Sequence, residues 1–336
     1  MGAMQAYGLR LERKRWRYRA MRKSRELSGI SVRTGHIREN DLLVFSTMRN
    51  ELKRLPYFLR YYRDLGVDHF LIVDNDSTDG TADYLAQQPD VSIWRTTHSY
   101  KRSRFGMDWL NYLLMKFGDS HWCLTVDPDE FLIYPFCDTR PLRALTDWLD
   151  ASSIRSFGAM LLDMYPKGNV GNSVYQAGQD PLDIAMWFDS GNYMIERNSK
   201  YGNLWIQGGP RARCFFADEP AHAPALNKIP LVKWDNRYAY TSSTHALLPR
   251  GLNLVYDEWG GEKASGILLH TKFLDTFADK AHEEMERRQH YAGSREYRAY
   301  ADKNAGLPDL WCNWSEKYIN WRQLEILGLM SKGNWA

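Results

Sequence analysis

The chain has 336 residues, 44% of them hydrophobic and 25% charged, with 24 Gly and 13 Pro. These proportions exclude collagen-like, low-complexity and wholly disordered chains, and leave one large globular domain or two modest ones. Lys and Arg (44) nearly balance Asp and Glu (41), so nucleic acid is not an expected partner of the whole chain.

No apolar run approaches the roughly 18–20 residues of a membrane span, and no apolar leader with a cleavage site opens the sequence. The four cysteines, Cys123, Cys137, Cys214 and Cys312, form no CxxC pair. A soluble protein of a reducing, cytoplasmic compartment is the expectation.

In chain order, the first feature is basic. Nine Lys or Arg side chains and one acid, Glu12, lie between Arg10 and Arg25, with Trp16 and Tyr18 interleaved. Such a stretch rests peripherally on an anionic membrane, contacts nucleic acid, or is a solvated helix leading into the domain.

From Asp41 the pattern becomes regular. Leu42–Phe45 is an apolar run of buried-strand length, broken by the polar turn Ser46–Glu51. Leu52, Leu55, Phe58, Leu59, Tyr62 and Leu65 then recur at helical spacing, with Pro56 in the first turn and Gly66 at the end. Phe70–Val73 predicts a second strand, 79–88 a helix, Val91–Trp94 a third strand, 105–116 a helix and Trp122–Val126 a fourth strand. Phe157–Leu162 is a further strand, and 167–234 reads as short strands and long loops. A charged helix is expected over 273–290. Trp311, Trp314, Tyr318 and Trp321 stripe the end of the chain at helical spacing. Strand–helix alternation of this kind predicts an α/β fold, a mostly parallel central sheet flanked by helices, with ligands at the carboxyl ends of the strands.

Two constellations stand at those strand ends. Asp127-Pro128-Asp129-Glu130 follows the fourth strand, and paired carboxylates there suit Mg²⁺ or Mn²⁺. Val73-Asp74-Asn75-Asp76-Ser77-Thr78-Asp79-Gly80-Thr81 follows the second. Caps and turns account for Ser77–Thr81 but not for Asp74, which ends an apolar strand facing the ligand crevice.

Together with Asn50-Glu51 after the first strand, these motifs resemble family 2 glycosyltransferases of the GT-A (Rossmann-like) fold. The resemblance spans about residues 40–135 and is strongest to the branch whose DxD motif reads Asp-x-Asp-Glu-Phe, as in Asp127–Phe131. It implies a metal-dependent transfer of sugar from a nucleotide-sugar donor, most simply a UDP-sugar, to a hydroxyl of a glycan or lipid-linked acceptor, as in polysaccharide biosynthesis. Thr47, Arg49, Glu51 and Asp74 would hold the base and ribose, and Arg102 and Arg104 the diphosphate. Asp127 would face the ribose or the metal, and Asp129 the metal.

Outside the well-matched stretch, His270 ends the apolar run Ile267–Leu269 and is a candidate third metal ligand, with Lys272 a candidate phosphate contact. The carboxylate that would deprotonate the acceptor has two candidates, Asp218 and Asp163. Trp205–Arg211 is either an acceptor loop or a plain hairpin. A nucleotidyltransferase and a non-catalytic GT-A scaffold are the alternative readings. The former usually carries a Gly-rich loop after its first strand, and Ser46–Asn50 holds no Gly. The expected organisation is a basic arm (1–38), a nucleotide-sugar-binding half (39–150), an acceptor half (151–275) and a C-terminal helical segment (276–336).

Overall fold

Seven consecutive residues of Leu42–Met48 are buried, and such a run belongs inside a sheet covered on both faces. The computed structural model, which describes residues 2–172, 174–256, 263–277 and 309–335, places it there. The strands are β1 (Ser28–Ser31), β2 (Leu42–Met48), β3 (His69–Asp74), β4 (Val91–Arg95), β5 (Trp122–Thr125), β6 (Glu130–Ile133), β7 (Ser156–Asp163), β8 (Trp187–Asp189), β9 (Tyr193–Arg197), β10 (Leu204–Gly208), β11 (Asn227–Lys233), β12 (Ala239–Ser242), β13 (Ala246–Leu248), β14 (Gly266–His270) and β15 (Ser315–Lys317). The helices are α1 (Ala3–Lys23), α2 (Leu55–Asp64), α3 (Thr81–Ala86), α4 (Met107–Phe117), α5 (Leu142–Ala151), α6 (Gly209–Phe215) and α7 (Trp321–Ile326).

Among the described residues nine strands form the central sheet, in the order β1-β4-β3-β2-β5-β11-β7-β14-β6. β2, β3, β4, β5, β7 and β14 point one way, while β1, β6 and β11 oppose them. The sheet is therefore mostly parallel, as the alternation predicts. Alternate residues of β2 feed two cores. Leu42, Val44 and Met48 pack with α2, α3 and α5, and Leu43 and Phe45 pack with Met107, Trp109, Leu110, Leu113 and Leu114 of α4. Pro56 lies in the first turn of α2, and Gly66, at φ 92°, ends that helix.

The structure differs from the expected pattern at two elements. The aromatic stripe near the C-terminus is not helical: Trp311 and Trp314 lie in loop and turn, Tyr318 follows β15, and only Trp321 opens a helix. Of these four, Trp321 packs in the core against Phe136, while Trp314 is exposed. β11 carries Pro230 in mid-sheet, and the pairing to β7 shifts register between Lys228 and Leu231 to accommodate it. The basic N-terminal stretch is α1, docked on the domain by one face. Leu9 and Ala20 are buried, Arg19 bonds Asp108 at 2.6 Å, Tyr201 donates to Glu12 at 2.7 Å, and Arg104 stacks 4.0 Å from the Trp16 ring. The helix expected over 273–290 lies beyond residue 277 outside the described residues.

Candidate functional site

Because β2, β3, β5, β7 and β14 share a direction, their carboxyl ends share one edge. The opposed strands β6 and β11 bring their first residues, Glu130 and Lys228 among them, to the same edge. Side chains from six strands meet along it, in three groups.

The first group ends β2 and β3. Thr47 and Asp74 are buried, yet among the described residues Thr47 Oγ1 and Asp74 Oδ1 have no hydrogen-bond partner. Asp74 Oδ2 accepts the Ser77 amide at 3.2 Å. Burial raises the Asp74 pKa, and its contacts with Ser77 only partly offset this. Gly106, at φ 78°, brings the start of α4 against Thr47; a Cβ there would lie 2.8 Å from Oγ1. Around this pair the two loops are zipped together. Asn50 receives the Thr78 amide on its side chain and gives its own amide to Ser77, and Asp79 accepts the amides of Leu52 and Thr81. Arg49 donates to the Asn75 carbonyl, and Glu51 lies 3.5 Å from Arg54. Both brace the loops.

The second group is the turn between β5 and β6. Asp127 is half exposed, 3.6 Å from Lys228 Nζ. Buried Glu130 takes that ammonium at 2.8 Å and the Asp127 amide at 3.2 Å. Burial pushes the Glu130 carboxyl up to about 7, against the opposing pull of Lys228. For Lys228 itself burial disfavours the charge, but Glu130 and Asp127 outweigh it and raise its pKa.

The third group is a chain of four charges. Arg211 Nε donates to Asp163 Oδ2 at 2.7 Å, Asp163 Oδ1 lies 2.6 Å from His270 Nδ1, and His270 Nε2 lies 3.4 Å from Asp129 Oδ2. Asp163 and His270 are opposite each other in the parallel β7–β14 register, and His270 is opposite Glu130 across β6. Asp163 is buried and its pKa is lowered: burial alone would raise it, but Arg211 and His270 dominate. With Nδ1–H given to Asp163, Nε2 and the Asp129 carboxylate are two acceptors facing each other. Burial alone would lower the His270 pKa, but the Asp129 and Asp163 carboxylates outweigh it and raise it, so the gap favours positive charge. A divalent ion fits the same donors, since two ligands each about 2.1 Å from a metal lie about 3 Å apart at a right angle. The carboxylate behind the imidazole is the usual support of a metal-bound histidine. Among the described residues no three such side chains are gathered as a ready metal site, and Asp127 turns toward Lys228 instead.

Other expected residues lie apart. Arg104 is a staple, with Nε on Asp108 at 2.7 Å, Nη1 on the Thr241 carbonyl at 2.9 Å and its plane on Trp16; its donors are not offered to a diphosphate. Arg102 is exposed, and its carbonyl accepts from Arg19. Lys272 is half-buried with its ammonium 6.0 Å from the Phe277 ring. Asp218 is exposed beyond the far end of α6 from Arg211. Trp205–Gly208 is a hairpin strand paired with β9, and Gly208, at φ 144°, is pressed against the Asn192 carbonyl. Lys228 and Arg211 were not singled out as functional side chains in the sequence. Lys228 carries a legible signal, a lone charge opening the apolar run Ile229–Val232.

No protein-family model matches the chain, and no curated protein matches it. Among solved structures, HddC from Yersinia pseudotuberculosis aligns over 67% of this chain and 82% of its own at 10% identity and a TM-score of 0.29. A UDP-glucose pyrophosphorylase from Acinetobacter baumanii aligns over 80% and 84% at 9% identity and a TM-score of 0.29. Likeness at that level carries no argument about activity. What the sheet order and the site define is a Rossmann-like α/β chain with its polar groups gathered at one sheet edge.

Proposed function

We propose that the chain is a metal-dependent glycosyltransferase that moves a sugar from a nucleotide-sugar donor, a UDP-sugar in the simplest case, to a hydroxyl acceptor such as a growing glycan. The observation that carries this is His270 Nε2 facing Asp129 Oδ2 at 3.4 Å, on the same edge as the buried Asp74 carboxylate, whose Oδ1 has no partner among the described residues. Asp74 and Asp127 end strands two places apart in the sheet, about 10 Å at the usual strand spacing, a separation that suits a ribose at one end and a diphosphate at the other.

In this reading Thr47 and Asp74 bind the nucleoside through their free oxygens, while Arg49 and Glu51 hold the loops that frame it. Asp129 and His270, with Asp127 at the open side, would hold Mn²⁺ or Mg²⁺. Such an ion neutralises the charge that grows on a departing nucleoside diphosphate. Asp163 is buried with Oδ2 on Arg211 and Oδ1 on His270, so its part in this reading is to fix the imidazole.

Calorimetry with UDP, with and without Mn²⁺, tests the proposal, followed by a screen of nucleotide-sugar hydrolysis. Asp129→Ala is expected to remove the metal-dependent part of UDP binding and leave the fold intact, because the side chain is partly exposed in a turn. Unchanged UDP affinity in Mn²⁺ would rule the assignment out. Formation of a nucleotide-sugar from a nucleoside triphosphate and a sugar phosphate, without glycosyl transfer, would reassign the site to nucleotidyl transfer.

A further inference from the structure

The face of α1 turned away from the domain carries Met4, Tyr7, Leu11, Tyr18 and Met21, exposed from 47% at Leu11 to 90% at Met4. Their spacing of three, four, seven and three residues keeps them on one stripe of the helix, and Lys14 fills the gap in it. Arg10, Lys14, Arg15 and Arg22 are exposed on or beside the stripe. The one acid within α1, Glu12, is turned inward to Tyr201, Lys200 and Trp16, so no carboxylate interrupts the outward face. The opposite face is fixed to the domain by Leu9, Ala20, Trp16 and Arg19. The stripe is therefore held in place rather than waving on a loose arm.

We infer that this outward face of α1 is a docking surface for an anionic membrane, with the helix lying in the plane of the headgroups. Three features select a lipid surface. Tyrosines beside Met and Leu match the mixed polarity of the headgroup region, long basic side chains reach the phosphates while their stems cover apolar surface, and the charge is of one sign. A second copy of α1 would set Lys14 and Arg15 against their own kind, and single-sign repulsion opposes it. Nucleic acid would use the charge but leave Met4, Leu11 and Met21 without a role. Because basic residues interrupt the apolar stripe, the contact is shallow and reversible. The inference stands independently of the reaction proposed above, since vesicle binding is read without nucleotide.

The test is co-sedimentation of the full chain with vesicles of phosphatidylcholine alone and with about one-third phosphatidylglycerol, at low salt and at about 0.5 M salt. Heparin binding and sedimentation velocity are measured alongside. Binding is expected to the anionic vesicles only, falling at least about tenfold at high salt as the charges are screened. The triple change Tyr7→Ser, Leu11→Ser and Tyr18→Ser should weaken vesicle binding about tenfold while heparin affinity stays constant. The double change Lys14→Glu and Arg15→Glu should weaken both, and it decides the matter if the triple variant fails to fold. No binding to anionic vesicles at low salt overturns the inference. So does a triple variant that binds vesicles like the unmodified chain, which makes the face a plain polyanion site, or a dimer that the triple change dissolves, which makes it a contact between copies.

Discussion

His270 and Asp163 end neighbouring parallel strands in direct register, and the imidazole Nδ1 lies 2.6 Å from the carboxylate Oδ1. The strands fix both backbones, and Arg211 holds the second carboxylate oxygen. The ring is thus turned so that Nε2, and no other atom, addresses Asp129.

Asp163→Asn is expected to keep the shape but loosen that orientation. Loss of a carboxylate behind a metal-bound histidine typically weakens metal affinity about 10–100-fold, so the half-saturating Mn²⁺ concentration for donor hydrolysis should rise by that factor. Arg211 would also lose its buried counter-charge, a destabilisation of about 3 kcal/mol. A metal titration corrected for the folded fraction separates the two effects. An unchanged Mn²⁺ requirement would leave Asp163 a purely structural partner of Arg211.

Asp74 predicts the opposite balance of stability and binding. Its pKa is raised by burial, so the fold opposes its ionisation. Below about pH 3.8 both folded and unfolded chains carry the proton and there is no penalty; as pH rises through that value the unfolded chain ionises more readily and the fold loses stability. Asp74→Asn should therefore raise the melting temperature at pH 7 and give no gain near pH 3. UDP affinity should fall in the same variant. Equal stability at pH 7 would mean that Asp74 is satisfied without ligand.

Much of this was legible in the sequence, and the failures have physical causes. β2, β3, β4 and β5 are apolar because both faces are covered, and the residues that end them are the polar ones the edge gathers. Arg104 misled because a basic residue in a loop after a strand looks the same whether it meets a phosphate or a buried acid. Only the fold reveals Asp108, fully buried one helical turn on. β11 was hidden by Pro230, which argues against a central strand until a register shift makes room for it. Arg211 escaped notice as an ion-pair partner because Asp163 lies 48 residues away, a separation that local pattern cannot bridge.

Arg104→Ala tests that correction. The change leaves Asp108 with Arg19 as its remaining cation and strips the stacking partner from Trp16. Breaking a buried pair costs about 3–5 kcal/mol when no other charge remains, so a loss of about 2 kcal/mol is expected here, read as a lower urea midpoint. UDP affinity per folded molecule should not change. A selective loss of nucleotide binding at constant stability would return Arg104 to the diphosphate.

His245 is half-buried, its Nδ1 is 2.6 Å from the Asn227 carbonyl, and its ring lies 5.9 Å from that of Trp205. Burial, helped by the nearby Lys228 and Arg211 cations, pushes its pKa down to about 3, and the Asn227 carbonyl only partly resists. The folded chain therefore keeps the ring neutral where an unfolded chain, with the ordinary value of 6.5, takes up a proton. The unfolded state binds more protons between those two values, so stability rises with pH across the window. The contribution is whole above about pH 6.5 and is lost at up to about 1.4 kcal/mol per pH unit as the pH falls toward 3. His245→Asn keeps a donor for the Asn227 carbonyl but cannot take the proton. Its urea midpoint should fall less steeply than that of the unmodified chain between pH 6 and pH 4, whatever the offset at pH 7. Parallel curves over that range would show that His245 is protonated as easily in the fold as out of it.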